Sequence, residues 1–347
     1  MTARKISSHI RYNPLSGARI LVCPERGSRP RSEKEEPPPP PSDSEYDPTC
    51  YLCPGNIRAT GNVNPAYTSV FAFDNDYPAL VPHTSGFRNC EGALIQSHAE
   101  DGICRVLCYS PRHDLTPARL PEAQLRRAVD TWTEESATLS AVPWIGYVQI
   151  FENHGAIGGA SSRHPHSQIW ASADIPDLVK SEDFHQEQYA LRYGTCLLCD
   201  YVKLELTLRE RVVCENDGFV VLVPYWAVWP FETMVLSKRH LADVTSLTAG
   251  ERGLFADIIK RITTRYDNLF QMQFPYSMAI HQKPADDSVH TGWHFHAHYF
   301  SPMRSATIQK VMAAYELGAG SERDGLPEEA ALRLRVASET HYLPSKS

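Results

Sequence analysis

The segment His164-Pro-His166-Ser-Gln168 sets two imidazoles and a carboxamide at alternate positions. In extended backbone alternate side chains share a face, so the three are expected to form a polar comb on one side of a strand. Pro165 fixes its own φ and removes a donor, which favours a rigid local geometry over a flexible loop. Immediately upstream, Gly155, Gly158, Gly159, Ala160, Ser161 and Ser162 make a small-residue loop whose backbone N–H groups are free to approach phosphate oxygens closely. Two other segments, Cys50-x-x-Cys53 and Cys196-x-x-Cys199, carry thiols at metal-ligand spacing. A bare His-x-His-x-Gln says little alone, so the surrounding chain has to give it meaning.

The chain of 347 residues is long enough for a full core, either as one large domain or as two halves. A formal charge of -7, with 22% charged and 42% hydrophobic residues, describes a globular protein with no basic face for long nucleic acid. A local group of arginines can still bind a small anion in such a protein. The opening Met1-Thr-Ala-Arg-Lys-Ile-Ser-Ser-His9 lacks the apolar stretch of a signal peptide, and no run approaches a membrane span. A cytoplasmic location without a membrane partner is therefore expected. Nine cysteines, an odd number with four in C-x-x-C pairs, point to metal thiolates over disulfides. Cys23, Cys90, Cys104, Cys108 and Cys214 are expected to be buried apolar residues.

Residues 33–41 end in five prolines and read as an extended surface loop without chemistry. Before it comes a strand-like Ala18-Arg-Ile-Leu-Val-Cys23, followed by Arg26, Arg29 and Arg31, a common position for ligand contacts. Strand-like runs recur at 69–73, 102–109, 145–151, 219–223, 233–237 and 295–300. Helical periodicity covers 121–141, 248–270 and 305–317. Several strands between helices predict an α+β fold with a largely antiparallel sheet.

The two halves repeat each other in outline. In the first, Cys50-x-x-Cys53 leads to Ser110-Pro-Arg-His113, a helix, a strand ending Phe151-Glu-Asn153, and His164-Pro-His166-Ser-Gln168. In the second, Cys196-x-x-Cys199 leads to Ser237-Lys-Arg-His240, a helix, a strand reaching His281, and His294-Phe-His296-Ala-His298. Duplicated half-domains, 1–190 with the catalytic His-Pro-His and 191–347 as its pseudo-repeat, are expected to join their sheets into a single structural domain.

In this setting the His-Pro-His-x-Gln segment resembles the histidine-triad superfamily, and within it the galactose-1-phosphate uridylyltransferases. The matching blocks run in order nearly from end to end: Arg11-Tyr-Asn-Pro-Leu-x-Gly17, Cys50-Tyr-Leu-Cys-Pro-Gly-Asn56, Asn64-Pro-Ala-Tyr67, Tyr225-Trp-Ala-Val-Trp-Pro-Phe-Glu232, Arg265-Tyr-Asp-Asn-Leu-Phe270, Phe274-Pro-Tyr-Ser-Met278 and Arg304-Ser-Ala-Thr307. The resemblance implies a two-step exchange. An imidazole nitrogen of His166 attacks the α-phosphorus of UDP-glucose, expelling glucose 1-phosphate, and galactose 1-phosphate then collects the uridylyl group. A neutral imidazole is a competent nucleophile near pH 7, and its phosphoramidate is reactive enough to be discharged. Gln168 would donate to the developing phosphoryl charge. The hydrolytic branch of the superfamily carries a histidine at that place, so an amide there favours transfer over hydrolysis.

The same resemblance supplies further roles. Cys50, Cys53, His113 and His164 would bind a structural zinc, and Glu182, His281, His296 and His298 a second metal, iron or zinc. Arg26, Arg29, Ser161 and Gln168 would meet the nucleotide phosphates, and Phe73, Asn75, Asp76 and Asn153 the base and ribose. Lys310, Tyr315 and Glu316 would hold the hexose phosphate, reaching the site of a partner subunit because the family is dimeric. The second C-x-x-C departs from the usual family pattern. By the internal repeat its partners would be His240 and His294, completing a set with Cys196 and Cys199.

Four other departures bear on which sugar or nucleotide is taken. Arg163 lies in Ser161-Ser-Arg-His-Pro-His where Ser-Asn-Pro-His-Pro-His is usual, and Ser167 replaces glycine or cysteine. Gln282 lies in His281-Gln-Lys-Pro where His-Gly-Ala-Pro is usual, and Glu322 takes the place of a sugar-binding glutamine. Two competing readings are a relative that transfers another nucleotide, as from ADP-glucose, and a metal-stabilised nucleotide-binding protein without catalysis.

Overall fold

In the computed structural model, residues 7–28, 44–83 and 86–344 are described. The proline-rich segment 33–41, together with Arg29 and Arg31, lies outside the described residues. The chain begins with a hairpin, β1 (His9–Tyr12) and β2 (Arg19–Cys23), and continues through β3 (Phe71–Asp74), a second hairpin of β4 (Arg88–Glu91) and β5 (Ile95–His98), and β6 (Gly102–Cys108). Helix α1 (Glu122–Ser140) precedes β7 (Tyr147–His154) and β8 (His166–Ser172), and two helices follow, α2 (Asp177–Tyr193) and α3 (Leu197–Leu208). The second half holds β9 (Val212–Glu215), β10 (Phe219–Leu222), β11 (Thr233–Ser237), α4 (Ala249–Phe270), β12 (Tyr276–His281) and β13 (His296–Phe300). It closes with α5 (Ala314–Gly318), β14 (Glu322–Asp324) and α6 (Pro327–Val336).

Nine strands make one sheet in the order β3-β6-β8-β7-β12-β13-β11-β10-β9. Each neighbouring pair is antiparallel, and the halves meet where β7 pairs with β12. The expected α+β class with a largely antiparallel sheet is therefore found. Around that seam the order mirrors itself: β8 and β6 lie beyond β7 as β13 and β11 lie beyond β12. The register puts His166 opposite Cys108 and, at the matching place, His296 opposite Leu236.

One face of the sheet carries Ile169, Ile150, Ile280, Ala297, Val235 and Val221 side by side across successive strands. These buried residues form the main core with α1 and α4, which pack on each other and on the sheet. Helix α1 supplies Leu125, Ala128, Val129, Trp132 and Leu139 at helical spacing. Helix α4 starts at a capping box, Thr248 with Glu251, and buries Phe255, Ile258, Ile259 and Ile262. The opposite face carries Phe73, Val106, Gln168 and Phe151 in one register row, which continues through Ala279 and His298 to Met234. Gln168 and His298 thus lie on the face turned away from the main core.

Two expectations fail. Only Ala314–Gly318 of the expected 305–317 helix is helical. Ser305 Oγ accepts from the backbone N–H of Ile308, Met303 bridges Gln309, and Lys310 N–H donates to Pro302 O, so a side-chain-closed turn outcompetes the helix. Cys90 is exposed on the β4–β5 hairpin, which packs no core residue against it. Helices α2, α3 and α6 were not anticipated; α2 buries only Val179, Glu182 and Gln186, too polar a stripe to read as amphipathic.

Gln282 is buried and ties the halves together. Its Nε2 donates to Val148 O of β7 at 3.0 Å, and its Oε1 accepts from Val244 N–H at 3.1 Å. Gln282→Ala strands both backbone groups, at about 1–3 kcal/mol each. A fall in unfolding free energy of about 2 kcal/mol or more is expected in urea titrations.

Candidate active site and metal centres

His166 opens β8, and Gln168 follows it on the same face. His164 lies in a bend just before the strand, so the extended comb begins only at His166. Its ring is buried and turned to the cysteines, with Nδ1 3.5 Å from Cys53 Sγ and Nε2 donating to Ser110 O at 2.9 Å. The carbonyl of His164 accepts from His166 Nδ1 at 2.8 Å. A carbonyl can only accept, so His166 carries its proton on Nδ1 and presents the Nε2 lone pair. Burial lowers the His166 pKa below the ordinary histidine value, which keeps the ring neutral.

The amide of Gln168 is oriented as firmly. Its Oε1 accepts from Trp170 Nε1 at 3.1 Å and from Asn75 Nδ2 at 3.3 Å. The indole N–H is donor-only, so it settles the amide assignment and leaves the Gln168 NH2 group as a donor. Asn75 is held in turn by accepting from Tyr77 N–H at 2.9 Å.

His166 lines a cavity of about 160 Å³ with Asn153, Ser161, Arg163 and the glycine loop. That loop has little freedom. A Cβ on Gly158 would lie 2.2 Å from His154 O and 2.6 Å from Tyr276 O, and Gly155 and Gly159 have φ of +73° and +87°. Only glycine satisfies these positions without strain.

Phe73 and Phe71 extend an aromatic stack from Tyr67, with centroids 5.0 and 5.1 Å apart. Arg58, which sequence reasoning missed, lies with its guanidinium 4.3 Å over Phe73 and 3.7 Å from Asp76. Two of its buried nitrogens have no hydrogen-bond partner. Nothing in an isolated arginine beside Ile57 would have singled it out. Asn153, Ser161 and His166 are thus brought to one cavity, while Phe73, Asn75, Asp76 and Gln168 lie together on the adjoining sheet face.

The remaining expected contacts lie elsewhere. Arg26 pairs with Glu322 at 3.0 Å and Asp324 at 3.3 Å beside β14, and Arg29 is outside the described residues. Lys310 is buried, 2.6 Å from Glu316, while Tyr315 is exposed beside Val311, Met312 and Leu317. None of Arg26, Lys310, Tyr315 or Glu316 lines the cavity of its own chain. Of the departures, Arg163 lines the cavity, whereas Ser167 points away from it and accepts from Trp132 Nε1 at 2.9 Å.

Cys50, Cys53, His113 and His164 bring four ligand atoms within 4.8 Å of one another. A tetrahedral ion with metal–sulfur bonds of about 2.3 Å and metal–nitrogen bonds of about 2.05 Å sets S···N edges of about 3.5 Å. The observed Cys53 Sγ distances to His113 and His164 Nδ1 are 3.6 and 3.5 Å. Burial pushes the Cys53 thiol up to about 12 and the His164 ring down to about 4. Burial without a cation thus opposes the thiolate, while it favours the neutral imidazole a metal needs.

Glu182, His281, His296 and His298 form a second buried group. His281 Nδ1 is 2.7 Å from Glu182 Oε2, and His296 Nε2 is 3.5 Å from the same oxygen. His296 donates through Nδ1 to His294 O at 2.7 Å, so its lone pair at Nε2 faces a carboxylate. Burial raises the Glu182 pKa, but the His281 and His296 contacts outweigh it and the carboxylate stays ionised. Both ring nitrogens of His298 are buried without a hydrogen-bond partner, Nε2 lying 3.8 Å from Glu182 Oε1. A cation between these groups would answer the His296 lone pair, the buried carboxylate and one nitrogen of His298. Cys196, Cys199, His240 and His294 form a third group, and His98, Glu100 and Asp174 a more exposed fourth. Among the described residues, no helix is long and apolar enough to cross a membrane.

Comparison with known proteins follows this geometry closely. The profile of the galactose-1-phosphate uridyl transferase N-terminal domain matches residues 1–176, and that of the C-terminal domain matches 182–346. The chain is 44% identical to a galactose-1-phosphate uridylyltransferase of Haemophilus influenzae, covering 96% of this chain and 95% of the relative. It is 43% identical to that of Rattus norvegicus, covering 96% and 89%. A solved uridylyltransferase structure superposes with a TM-score of 0.75 at 27% identity, over 94% of this chain and 97% of that one. An ADP-glucose phosphorylase from Arabidopsis thaliana, solved with bound ADP-glucose, shares the fold with a TM-score of 0.76 at 21% identity, over 96% and 100%.

The Cys50–Cys53 group carries a direct expectation. Cys53→Ser should reduce metal content by one equivalent per chain in plasma mass spectrometry and lower the melting temperature by several degrees. Unchanged metal content would show that the four ligands hold nothing.

Proposed function

Because the chain belongs to the galactose-1-phosphate uridylyltransferase family, it is an enzyme of uridylyl transfer, and we propose that it works by a ping-pong exchange through a uridylyl group on His166 Nε2. UDP-glucose and galactose 1-phosphate give glucose 1-phosphate and UDP-galactose. The observation that carries this reading is the His166 Nδ1–H bond to His164 O, which leaves one oriented Nε2 lone pair on a residue that lines the cavity.

In the first step His166 Nε2 forms a bond to the α-phosphorus while the bond from that phosphorus to the bridging oxygen breaks. Both electrons leave with glucose 1-phosphate. A phosphate leaving group is stable as an anion near pH 7, so no general acid is required. That explains why an amide suffices at Gln168, whose oriented NH2 donates to the equatorial phosphoryl oxygens. In the second step a phosphate oxygen of galactose 1-phosphate takes the phosphorus and returns the electron pair to Nε2. The proton stays on His166 Nδ1 throughout, donated to His164 O, so the developing imidazolium charge is stabilised by that carbonyl.

Ser161 and the glycine loop bind the phosphates, with Arg26 and Arg29 as further phosphate ligands. Phe73, Asn75, Asp76 and Asn153 receive the base and ribose. Lys310, Tyr315 and Glu316 serve the hexose phosphate in the cavity of a partner subunit, which accounts for their absence from their own cavity and for the exposed apolar segment around Tyr315. The protein is on this reading a homodimer. Residues 1–190 and 191–347 are two halves of a single structural domain. Zinc suits Cys50, Cys53, His113 and His164, where it supplies structural rigidity; iron or zinc suits Glu182, His281, His296 and His298. All nine cysteines are free, in keeping with the reducing cytoplasm.

Incubation with UDP-glucose alone should add one uridylyl mass to the peptide containing His166, with release of one equivalent of glucose 1-phosphate. ADP-glucose should give no adduct. His166→Gly should lose exchange by at least about 10⁴-fold; full activity in that variant would end the mechanism. Gln168→His should shift the partition of the intermediate toward hydrolysis, read as the ratio of UMP to UDP-galactose. An unchanged ratio would remove the role given to the amide.

A further inference from the structure

The side chains of Cys196, Cys199, His240 and His294 sit where the internal repeat places counterparts of Cys50, Cys53, His113 and His164. Here too the ligand distances lie close to a tetrahedral edge. Cys196 Sγ and Cys199 Sγ each lie 3.4 Å from His294 Nδ1, and Cys199 Sγ lies 3.6 Å from His240 Nδ1. The expected edge is about 3.5 Å. His294 is fully buried, and its Nε2 donates to Ser237 O at 2.9 Å, as His164 does to Ser110 O. Its Nδ1 therefore holds a lone pair aimed at two sulfurs. The imidazole planes of His240 and His294 meet at 80°, against 75° for His113 and His164, so even the ring arrangement is duplicated. Cys199 N–H donates to Cys196 Sγ at 3.4 Å, which suits a thiolate.

The group is also mechanically joined to its neighbour. His294 O accepts from His296 Nδ1 at 2.7 Å, and His294 N–H donates to Gln186 Oε1 at 3.0 Å. Gln186 is fully buried and lies one turn along α2 from Glu182. Both contacts lead from His294 to ligands of the Glu182, His281, His296 and His298 group.

We propose that Cys196, Cys199, His240 and His294 bind a third metal ion, a thiolate-preferring divalent cation such as zinc, and that this ion fixes the entry to β13 and thereby holds His296 and Glu182 in place for the neighbouring metal. The ion is structural: four protein ligands close its coordination and leave no position for substrate. The inference is independent of the uridylyl-transfer reading, because it concerns metal content and retention alone.

The test uses the full-length purified protein and plasma mass spectrometry, with protein quantified by sulfur. The unmodified chain should carry three metal equivalents, and Cys196→Ser/Cys199→Ser two, or one if slackening of β13 also empties the Glu182 group. His240→Gln provides a second variant, since His240 is exposed and its replacement leaves the core intact. It should release one zinc equivalent to a chromophoric chelator at least about tenfold faster than the unmodified chain. The ion held by Glu182 and its three histidines should also leave faster in this variant. Equal metal content in the unmodified and double-variant proteins, or identical release curves for His240→Gln, would overturn the third site. Loss of one zinc equivalent with unaltered retention of the neighbouring ion would overturn the positioning role.

Discussion

The hydrogen bond from His166 Nδ1 to the carbonyl two residues before it determines what the rest of the molecule has to do. It selects the tautomer, aims the free lone pair and sets a fixed dipole against the ring N–H. An acceptor of this kind works only if its peptide plane cannot turn. His164 meets that need because its ring is fixed at both ends, by Ser110 O on one side and the cysteine group on the other. The ring that faces the cysteines and the carbonyl acceptor are parts of one residue, so rigidity at the cysteine group becomes orientation at the His166 ring with no intervening flexible segment.

Duplication shows how general that device is. His294 and His296 repeat the ring-to-carbonyl bond, but the lone pair it exposes meets Glu182 from α2 instead of a cavity. His298 takes the place that Gln168 holds in the first half, putting a third imidazole where the first half has an amide on the same sheet face. One geometry thus presents a lone pair beside a cavity in one half and a lone pair against a carboxylate in the other, and the carboxylate delivered by α2 separates the two outcomes. A cation there would relieve the opposition between the His296 lone pair and the buried carboxylate.

How much of this was legible in the sequence depended on the range of the determining contact. The C-x-x-C pairs, the paired histidine segments and the alternating apolar strands carry their information locally, and the order of the two halves let equivalent positions be matched before any fold was known. Helix α2 was invisible for the opposite reason. Its buried positions are Val179, Glu182 and Gln186, two of them polar and bonded to His281 and His294 about a hundred residues away, so its periodicity is chemical rather than apolar. The 305–317 segment misled in the other direction: its composition favours helix, but burial of the Lys310 ammonium against Glu316 and two carbonyls fixes the chain in turns. Arg58 became visible only once β3 had brought Phe73 beneath it.

The departures from the family pattern also change meaning when they are placed. Ser167 and Gln282 are neighbours of reactive or ligand residues in the sequence, yet each faces away from the chemistry. Ser167 satisfies the indole of Trp132, and Gln282 joins the two halves through backbone groups. Strand alternation makes the side chain next to a reactive residue the one least able to touch its substrate. Arg163 is different, since it lies in the irregular loop and lines the cavity with His166. Glu322 pairs with Arg26, so its charge is directed to an arginine of the same chain. Ser167 and Gln282 therefore speak to packing, and among the four departures Arg163 is the one that lines the cavity.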